Sequence, residues 1–234
     1  MATQTKVSPL KRTLYGCAIA WCTGYINTNT FMRFGIFSGF QTGNSIALAT
    51  SLVTPIDGVR AGLAAAAVAA FAVGAALAVI ANVPARRRNG SFLALMLLLV
   101  GVTAGGEASL PYIGKYAGLP YNGFMGAIDY IGFKGVINDK IAYITGNLQK
   151  TIAATVFILG RRGTPTDRVK AFVEAKELLQ FFFSFLFGAY SSALAVRLLW
   201  QSHQWTGFPP VVFAAALIVL MEQPPKSVLP IVDA

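Results

Sequence analysis

Residues 24–44 read GYINTNTFMRFGIFSGFQTGN, and residues 126–147 read GAIDYIGFKGVINDKIAYITGN. Both stretches are strongly apolar and end in the same polar tripeptide, Thr42-Gly43-Asn44 in the first and Thr145-Gly146-Asn147 in the second. The leading glycines are 102 residues apart and the tripeptides 103, so a single insertion separates the two copies. A duplicated polar break inside apolar sequence is how many membrane transporters build their substrate site.

The composition is that of an integral membrane protein. Of the 234 residues, 55% are hydrophobic and only 12% are charged, whereas a soluble domain has about 25% charged residues. The mean hydropathy is +0.60. The net charge of +10 does not indicate nucleic-acid binding, because the basic residues cluster in short segments between apolar runs. The sequence has no nucleotide loop, metal-ligand spacing or nucleophile motif, so we expect neither an enzyme nor a cofactor.

Six apolar units divide the chain, which we treat as one membrane domain over residues 1–234. Four of them have lengths that suit one helix each, about 59–82, 91–110, 177–200 and the shorter 207–222. The first and fourth units, about 14–54 and 119–160, are too long for one simple helix, and each contains a Thr-Gly-Asn tripeptide. We therefore predict an all-α integral membrane protein in which units one and four are broken.

Basic segments predict the topology. The tail 1–13, the loop 83–90 and the loop 160–176 are basic and are expected on the cytoplasmic side. Units one and four must then each make one net crossing, which gives six crossings with both termini cytoplasmic. Repeat 1, about 14–110, starts inside and repeat 2, about 119–222, starts outside, so the two three-helix repeats are predicted to be inverted. Which membrane holds the protein stays open, and a homo-oligomer is one alternative.

Two polar residues occupy equivalent positions in the repeats, Asn27 in the first and Asp129 in the second. A carboxylate inside a membrane is costly and by default indicates function. Asp129 could carry a proton or a cation, or it could form a structural salt bridge with Lys134 or Lys140. Arg33 and Lys134 follow these positions and either attract an anionic solute or extend to the membrane interface.

Each tripeptide is predicted to open a half-helix, because Thr, Asn and Ser favour helix starts. The exposed N–H groups of such a start carry partial positive charge. Unpaired backbone at membrane depth is tolerated only inside protein or beside a polar cavity. The alternative is that both tripeptides are loop turns at the membrane edge. The predicted substrate-binding set is Asn27, Thr42, Gly43, Asn44, Asp129, Thr145, Gly146 and Asn147.

The paired blocks resemble the YoaK-type family of uncharacterised transmembrane proteins, which carry the domain of unknown function 1275. The first motif runs from Gly24-Tyr25-Ile26-Asn27 to Thr42-Gly43-Asn44, and the second from Met125 to Leu148. The family more usually has Asp in the first block and a Gln-Asn pair in the second. In this chain the amide, Asn27, is in the first block and the carboxylate, Asp129, is in the second. The resemblance implies an integral membrane protein and supplies no substrate.

Two functions are compatible with these observations. The first is a small secondary transporter or permease for a small solute, for which an anion is one option, with the lipid bilayer as its other partner. The second is a non-transporting membrane scaffold or partner subunit, in which the breaks serve only packing.

Overall fold

The structure is a computed structural model that describes residues 9–53, 58–82, 118–131, 144–161 and 163–199, and every regular element in these ranges is an α-helix. In chain order the helices are α1 (Pro9–Phe34), α2 (Gln41–Val53), α3 (Gly58–Asn82), α4 (Leu119–Ile131), α5 (Ile144–Leu159) and α6 (Pro165–Leu199). The predicted all-α class is confirmed for these residues. The third and sixth apolar units, at 91–110 and 207–222, lie outside the described residues.

The first apolar unit is two helices. α1 ends where Gly35 adopts a φ of +70° and donates its N–H to the carbonyl of Phe31 at 2.9 Å. A left-handed residue directly after the last helical turn is a common helix terminator, and glycine adopts it without steric cost. Residues 35–40, the break loop, then connect α1 to α2. The fourth unit likewise contains two helices, α4 and α5, and the residues between them lie outside the described ranges.

α6 begins twelve residues before the fifth apolar unit, inside the segment 160–176 that the charge pattern indicated as a loop. Thr164 and Asp167 form a reciprocal cap. The Thr164 hydroxyl donates to Asp167 Oδ2 at 2.6 Å, and the Asp167 N–H donates to Thr164 Oγ1 at 3.2 Å. These hydrogen bonds hold the pKa of the exposed Asp167 carboxyl below its ordinary value of 3.8. Pro165 suits the first helical position, which needs no N–H donor. Local capping therefore extends the helix beyond its apolar part.

The helices pack as two clusters that each combine both halves of the sequence. In one cluster α1 and α5 pack against α6, and in the other α2 and α4 pack against α3. α1 and α4 touch each other only sparsely. The first helix of each half therefore has its main partner in the opposite half.

Two glycine crossings hold these pairs together, and their contacts correspond residue by residue. A Cβ on Gly24 of α1 would overlap the carbonyl of Phe185 in α6, and one on Gly126 of α4 would overlap the carbonyl of Phe71 in α3. Reciprocally, a Cβ on Gly188 would strike the carbonyl of Trp21, and one on Gly74 that of Gly123. The α1 and α4 positions differ by 102 residues and the α3 and α6 positions by 114, the offsets already present in the sequence. Missing side chains allow the backbones to approach closely.

Many large apolar side chains of the described residues are exposed, and several polar side chains are buried. Val53, Leu159, Phe183 and Phe187 are more than 60% exposed. Polar side chains in the interior include Asn27, Asn29, Asn44, Asn122 and Ser192. Within the described ranges, two helices are long and apolar enough to cross a membrane, with candidate spans at Ala61–Ala78 and Pro165–Leu198 and mean hydropathies of 2.1 and 1.5. By themselves these two spans are weak evidence for a membrane location.

Candidate functional site: the break loop and its amide side chains

Asn27 anchors the break loop to the middle of α1. Its buried Oδ1 accepts the N–H of Gly39 at 2.7 Å and the hydroxyl of Ser38 at 3.2 Å. Its Nδ2 donates to the Thr23 carbonyl one helical turn earlier, at 3.1 Å. The loop therefore folds back along α1 by about two turns before α2 begins, and Asn27 satisfies backbone that would otherwise be unpaired.

Asn44 fixes the other end of the loop. Its Nδ2 donates to the Phe37 carbonyl at 2.6 Å, and its Oδ1 accepts the Phe37 N–H at 3.0 Å. The same Nδ2 donates to Gln41 Oε1 at 3.0 Å. Asn44 lies in the first turn of α2, whose first amides bond to the carbonyls of Gly39 and Phe40. The tripeptide thus stands at a helix start, as predicted, since α2 begins at Gln41. The Asn44 side chain itself binds the loop that precedes the helix.

Two residues that the sequence did not single out complete the network. Gln41 Nε2 donates to the Ser38 carbonyl at 2.9 Å and to Asn122 Oδ1 of α4 at 3.1 Å. Asn122 Nδ2 donates in turn to the Gly118 carbonyl at 3.2 Å. Asn122 is a fully buried amide inside an apolar helix, and that contrast was the signal available in the sequence.

Where the loop comes closest to the helices, at Gly39, there is room for a glycine and not for a larger residue. A Cβ on Gly39 would lie 2.9 Å from Asn27 Nδ2 and 3.0 Å from Met125 Cε, one contact on α1 and the other on α4. Cβ atoms essentially never come that close to other atoms, so the loop is wedged between the two clusters of helices.

Aromatic rings pack around the same loop. Phe37 stacks on Phe31 of α1 with centroids 4.5 Å apart and an interplanar angle of 11°. Phe40 lies 5.9 Å from Phe37 and 5.9 Å from Phe185 of α6, in tilted or edge-on arrangements typical of aromatic pairs. Through hydrogen bonds and rings, the break loop therefore touches α1 and α6. Gln41, the first residue of α2, adds the hydrogen bond to α4.

The other predicted residues of the first repeat lie differently. Thr42 is exposed, and Gly43 packs its backbone against the Phe37 ring, where a Cβ would lie 2.9 Å from Cδ2. Arg33 is half-buried with its guanidinium 5.1 Å from the centre of the Phe34 ring, a cation–π distance.

The predicted residues of the second repeat are described only by their backbone. Asp129 lies in α4, and Thr145, Gly146 and Asn147 lie in the first turn of α5, so this tripeptide also stands at a helix start. Their side chains, and Lys134 and Lys140 as a whole, lie outside the described residues. Positions 122, 125 and 129 share one face of α4 by helical spacing. On this face Asn122 bonds to Gln41, and Met125 lies beside Gly39 of the break loop.

The described part of the site is built from amides, which offer hydrogen-bond donors and acceptors and no titrating group. Asn27, Asn44, Gln41 and Asn122 bond to one another or to backbone, so in this arrangement they hold the break in place. Among the described residues, no group of three His, Cys, Asp or Glu side chains could hold a metal ion.

Comparison with known proteins agrees with the resemblance stated for the two sequence blocks. No curated protein and no solved structure matches the chain. A family model described as "Protein of unknown function (DUF1275)" matches residues 15–220, which includes both breaks and both glycine crossings. The chain belongs to the DUF1275 family.

Proposed function

We propose that the chain is a multi-pass membrane protein that acts as a small secondary transporter or permease for a small solute. The observation that carries this proposal is the helix break at residues 35–40, which is partly buried and held by side-chain amides between two clusters of helices. Broken helices at the contact of two structural halves are the usual place of a transporter's substrate site.

The distribution of polar and apolar side chains supports a lipid environment. Large apolar side chains such as Phe183 and Phe187 are exposed, while amides such as Asn27 and Asn122 are buried. A soluble monomer rarely exposes large contiguous apolar surface. In a membrane the exposed rings would face lipid, and the buried amides would satisfy the backbone that the break leaves without a helical partner.

The packing direction supports the inverted-repeat topology. Contacts between α1 and α6 advance in the same direction along both helices, with Gly16 at Phe181 and Gly24 at Phe185 and Ala189. Parallel packing requires both helices to cross in the same sense, as the cytoplasmic placement of residues 1–13 and 160–176 predicts. The residue-by-residue equivalence of the two glycine crossings is what a pseudo-twofold axis between the halves would produce.

In this mechanism the two clusters of helices move relative to each other around the break loop. The N-terminus of α2 and its predicted counterpart at α5 contribute partial positive charge, which favours an anionic solute. Asp129 lies on the face of α4 that carries Asn122 and would be the titrating group of the site. The amide network holds the loop in one state, and its few contacts with α4 are the ones that would change.

A counterflow experiment in liposomes tests this proposal. Purified protein is reconstituted with small organic and inorganic anions inside and labelled anions outside. We expect protein-dependent exchange that is lost in Asp129→Asn while the protein remains folded. The matched control is Asp167→Asn, the same chemical change at an exposed cap outside the apolar part of α6, and it should exchange at the wild-type rate. Equal loss in both variants, or no exchange of any solute, would contradict the proposal.

The alternative function, a membrane scaffold or partner subunit, is favoured by one observation. The described amides are engaged with the loop, as a purely structural break requires. In that case Asp129→Asn would lower thermal stability by removing a salt bridge, and flux would be absent from the wild type.

A further inference from the structure

A groove of about 680 Å³ lies between α1, α5 and α6, away from the break loop. Cys17 lines it from α1 and Thr155 from α5, while Lys176, Gln180 and Ser184 line it from α6. Cys17 precedes Asn27 by ten residues, which is about 15 Å along a helix. The groove is therefore a feature separate from the candidate solute site.

The charges of α6 place one end of this groove at the level of lipid headgroups, given the membrane location proposed above. Charged residues occur in the first part of α6 up to Glu177, and the next is Arg197. The uncharged stretch 178–196 would span about 28 Å, close to the thickness of a bilayer's hydrocarbon core of about 30 Å. Lys176 then lies at the boundary, with Phe172 lining the groove one turn before it and Gln180 and Ser184 lining it within the hydrocarbon region.

Three polar side chains line the groove in an order that matches the groups of a phospholipid, from its headgroup inwards. Lys176, Gln180 and Ser184 are spaced by four residues, so they share one face of α6 and each lies about 6 Å deeper than the last. The order is cation, amide and hydroxyl, and Phe183 and Leu179 add apolar surface beside them. No acidic side chain is among the described residues that line the groove.

The other half of the molecule lacks this face. At the offset of 114 residues that preserves the glycine crossing, the equivalents of Lys176, Gln180 and Ser184 in α3 are Gly62, Ala66 and Ala70. Helix packing therefore does not require polar groups at these positions. The polar face is therefore a feature of one half only.

We propose that this groove binds one anionic phospholipid, with its phosphate at Lys176, its glycerol esters near Gln180 and an acyl chain along Phe183 and Cys17. Basic pockets between helices on the cytoplasmic side are a known mode of anionic-lipid recognition. The size of the groove suits an amphipathic ligand, since small-molecule sites measure about 300–1,000 Å³. The proposal depends on the membrane location and not on solute transport.

Lipid titration of the purified protein, followed by native mass spectrometry, tests the charge. Phosphatidylglycerol should bind more tightly than phosphatidylcholine with the same acyl chains. Lys176→Gln should weaken phosphatidylglycerol binding about fivefold, the equivalent of about 1 kcal/mol for one basic residue at a membrane surface. Lys170→Gln removes the same charge from an exposed position on α6 that does not line the groove, and it should leave binding within about twofold. If the two variants weakened binding equally, the lipid would be attracted by surface charge in general, and the proposed site at Lys176 would be wrong.

Alkylation of Cys17 tests the position of the lipid. Cys17 and Cys22 are the two cysteines of the chain, and Cys22 is buried, so Cys22→Ala leaves Cys17 as the single target. Phosphatidylglycerol should slow the reaction of Cys17 with N-ethylmaleimide more than phosphatidylcholine does. Equal protection by inorganic phosphate would assign the groove to a soluble anion, and protection in lipid-free dimers would assign it to a second copy. Either result would overturn the proposal, and neither depends on solute flux.

Discussion

Asn44 binds both backbone groups of Phe37 at once, which an apolar side chain of similar size cannot do. Asn44→Leu would remove both hydrogen bonds to the partly buried backbone of Phe37. We expect it to lower the free energy of unfolding in detergent micelles by about 1–3 kcal/mol. Chemical denaturation followed by circular dichroism measures the change.

Thr42 provides the control within the same tripeptide, because its side chain is exposed. Thr42→Val should change the unfolding free energy by no more than about 0.5 kcal/mol. If the two substitutions were equally destabilising, the tripeptide would act through its local helix propensity, and the role assigned to Asn44 would be wrong.

At this scale the sequence identifies residues better than partners. Asn27 and Asn44 stood out because a polar group in apolar sequence must bond to something. Their partners in the break loop were not predictable, since the path of a loop depends on contacts far away in sequence. Gln41 and Asn122 were missed although they bond to each other, because 81 residues separate them and neither has a polar counterpart in the other repeat.

The helix crossings should be intolerant of a single methyl group. Gly24→Ala and Gly126→Ala each place a Cβ against a carbonyl of the partner helix, and overpacking of this kind costs about 1–3 kcal/mol. The two variants should lose similar amounts because their contacts are equivalent. Thermal melting in detergent measures both.

Gly62→Ala makes the same chemical change on α3, where an added Cβ meets nothing within 4 Å. It should be neutral or stabilise by up to about 1 kcal/mol, since alanine favours helix more than glycine does. A loss equal to that of Gly24→Ala would show that helical glycines matter here for some reason other than close packing.

The cap of α6 should make stability depend on pH. Hydrogen bonds from Thr164 lower the pKa of Asp167 in the folded protein, so the stabilisation is present above the ordinary pKa of 3.8 and disappears as the pH falls through the lower folded-state pKa. Asp167→Asn should therefore melt below the wild type at about pH 5, and the difference should vanish towards about pH 2. A difference that stays constant with pH would show that the carboxylate charge plays no part in the cap.

The apolar runs of the sequence predict where the helices lie. They do not predict where a helix ends when a capping residue or a proline outside the run sets that end. α3 matches the predicted unit 59–82 almost exactly in extent, whereas α6 extends to Pro165 because a cap and a proline start it there. The pairing of α1 with α6 was not predictable, because the repeat offsets identify equivalent residues without saying which helices touch.

For the whole molecule, the topology prediction places residues 1–13, 83–90 and 160–176 on the same side of the membrane. Cysteines introduced at Arg87 and Lys170, in a protein with Cys17 and Cys22 replaced by alanine, should react with an impermeant maleimide only after the cytoplasmic face is exposed. Labelling of position 87 from outside would contradict the predicted six-crossing topology, and with it the inverted arrangement of the repeats.

The exchange of partners between the halves also governs how the chain is made. α1 is complete at Phe34, and synthesis of its partner α6 begins at Pro165, 131 residues later. At a translation rate of about 5–20 residues per second, roughly 7–26 s pass between the completion of α1 and the start of synthesis of α6. During that interval the Gly24 face of α1, which packs against the backbone of Phe185 and Ala189 in α6, has no partner helix. We expect each half to depend on the other for stable packing, and co-translational quality control to act on the nascent chain until α6 has been synthesised.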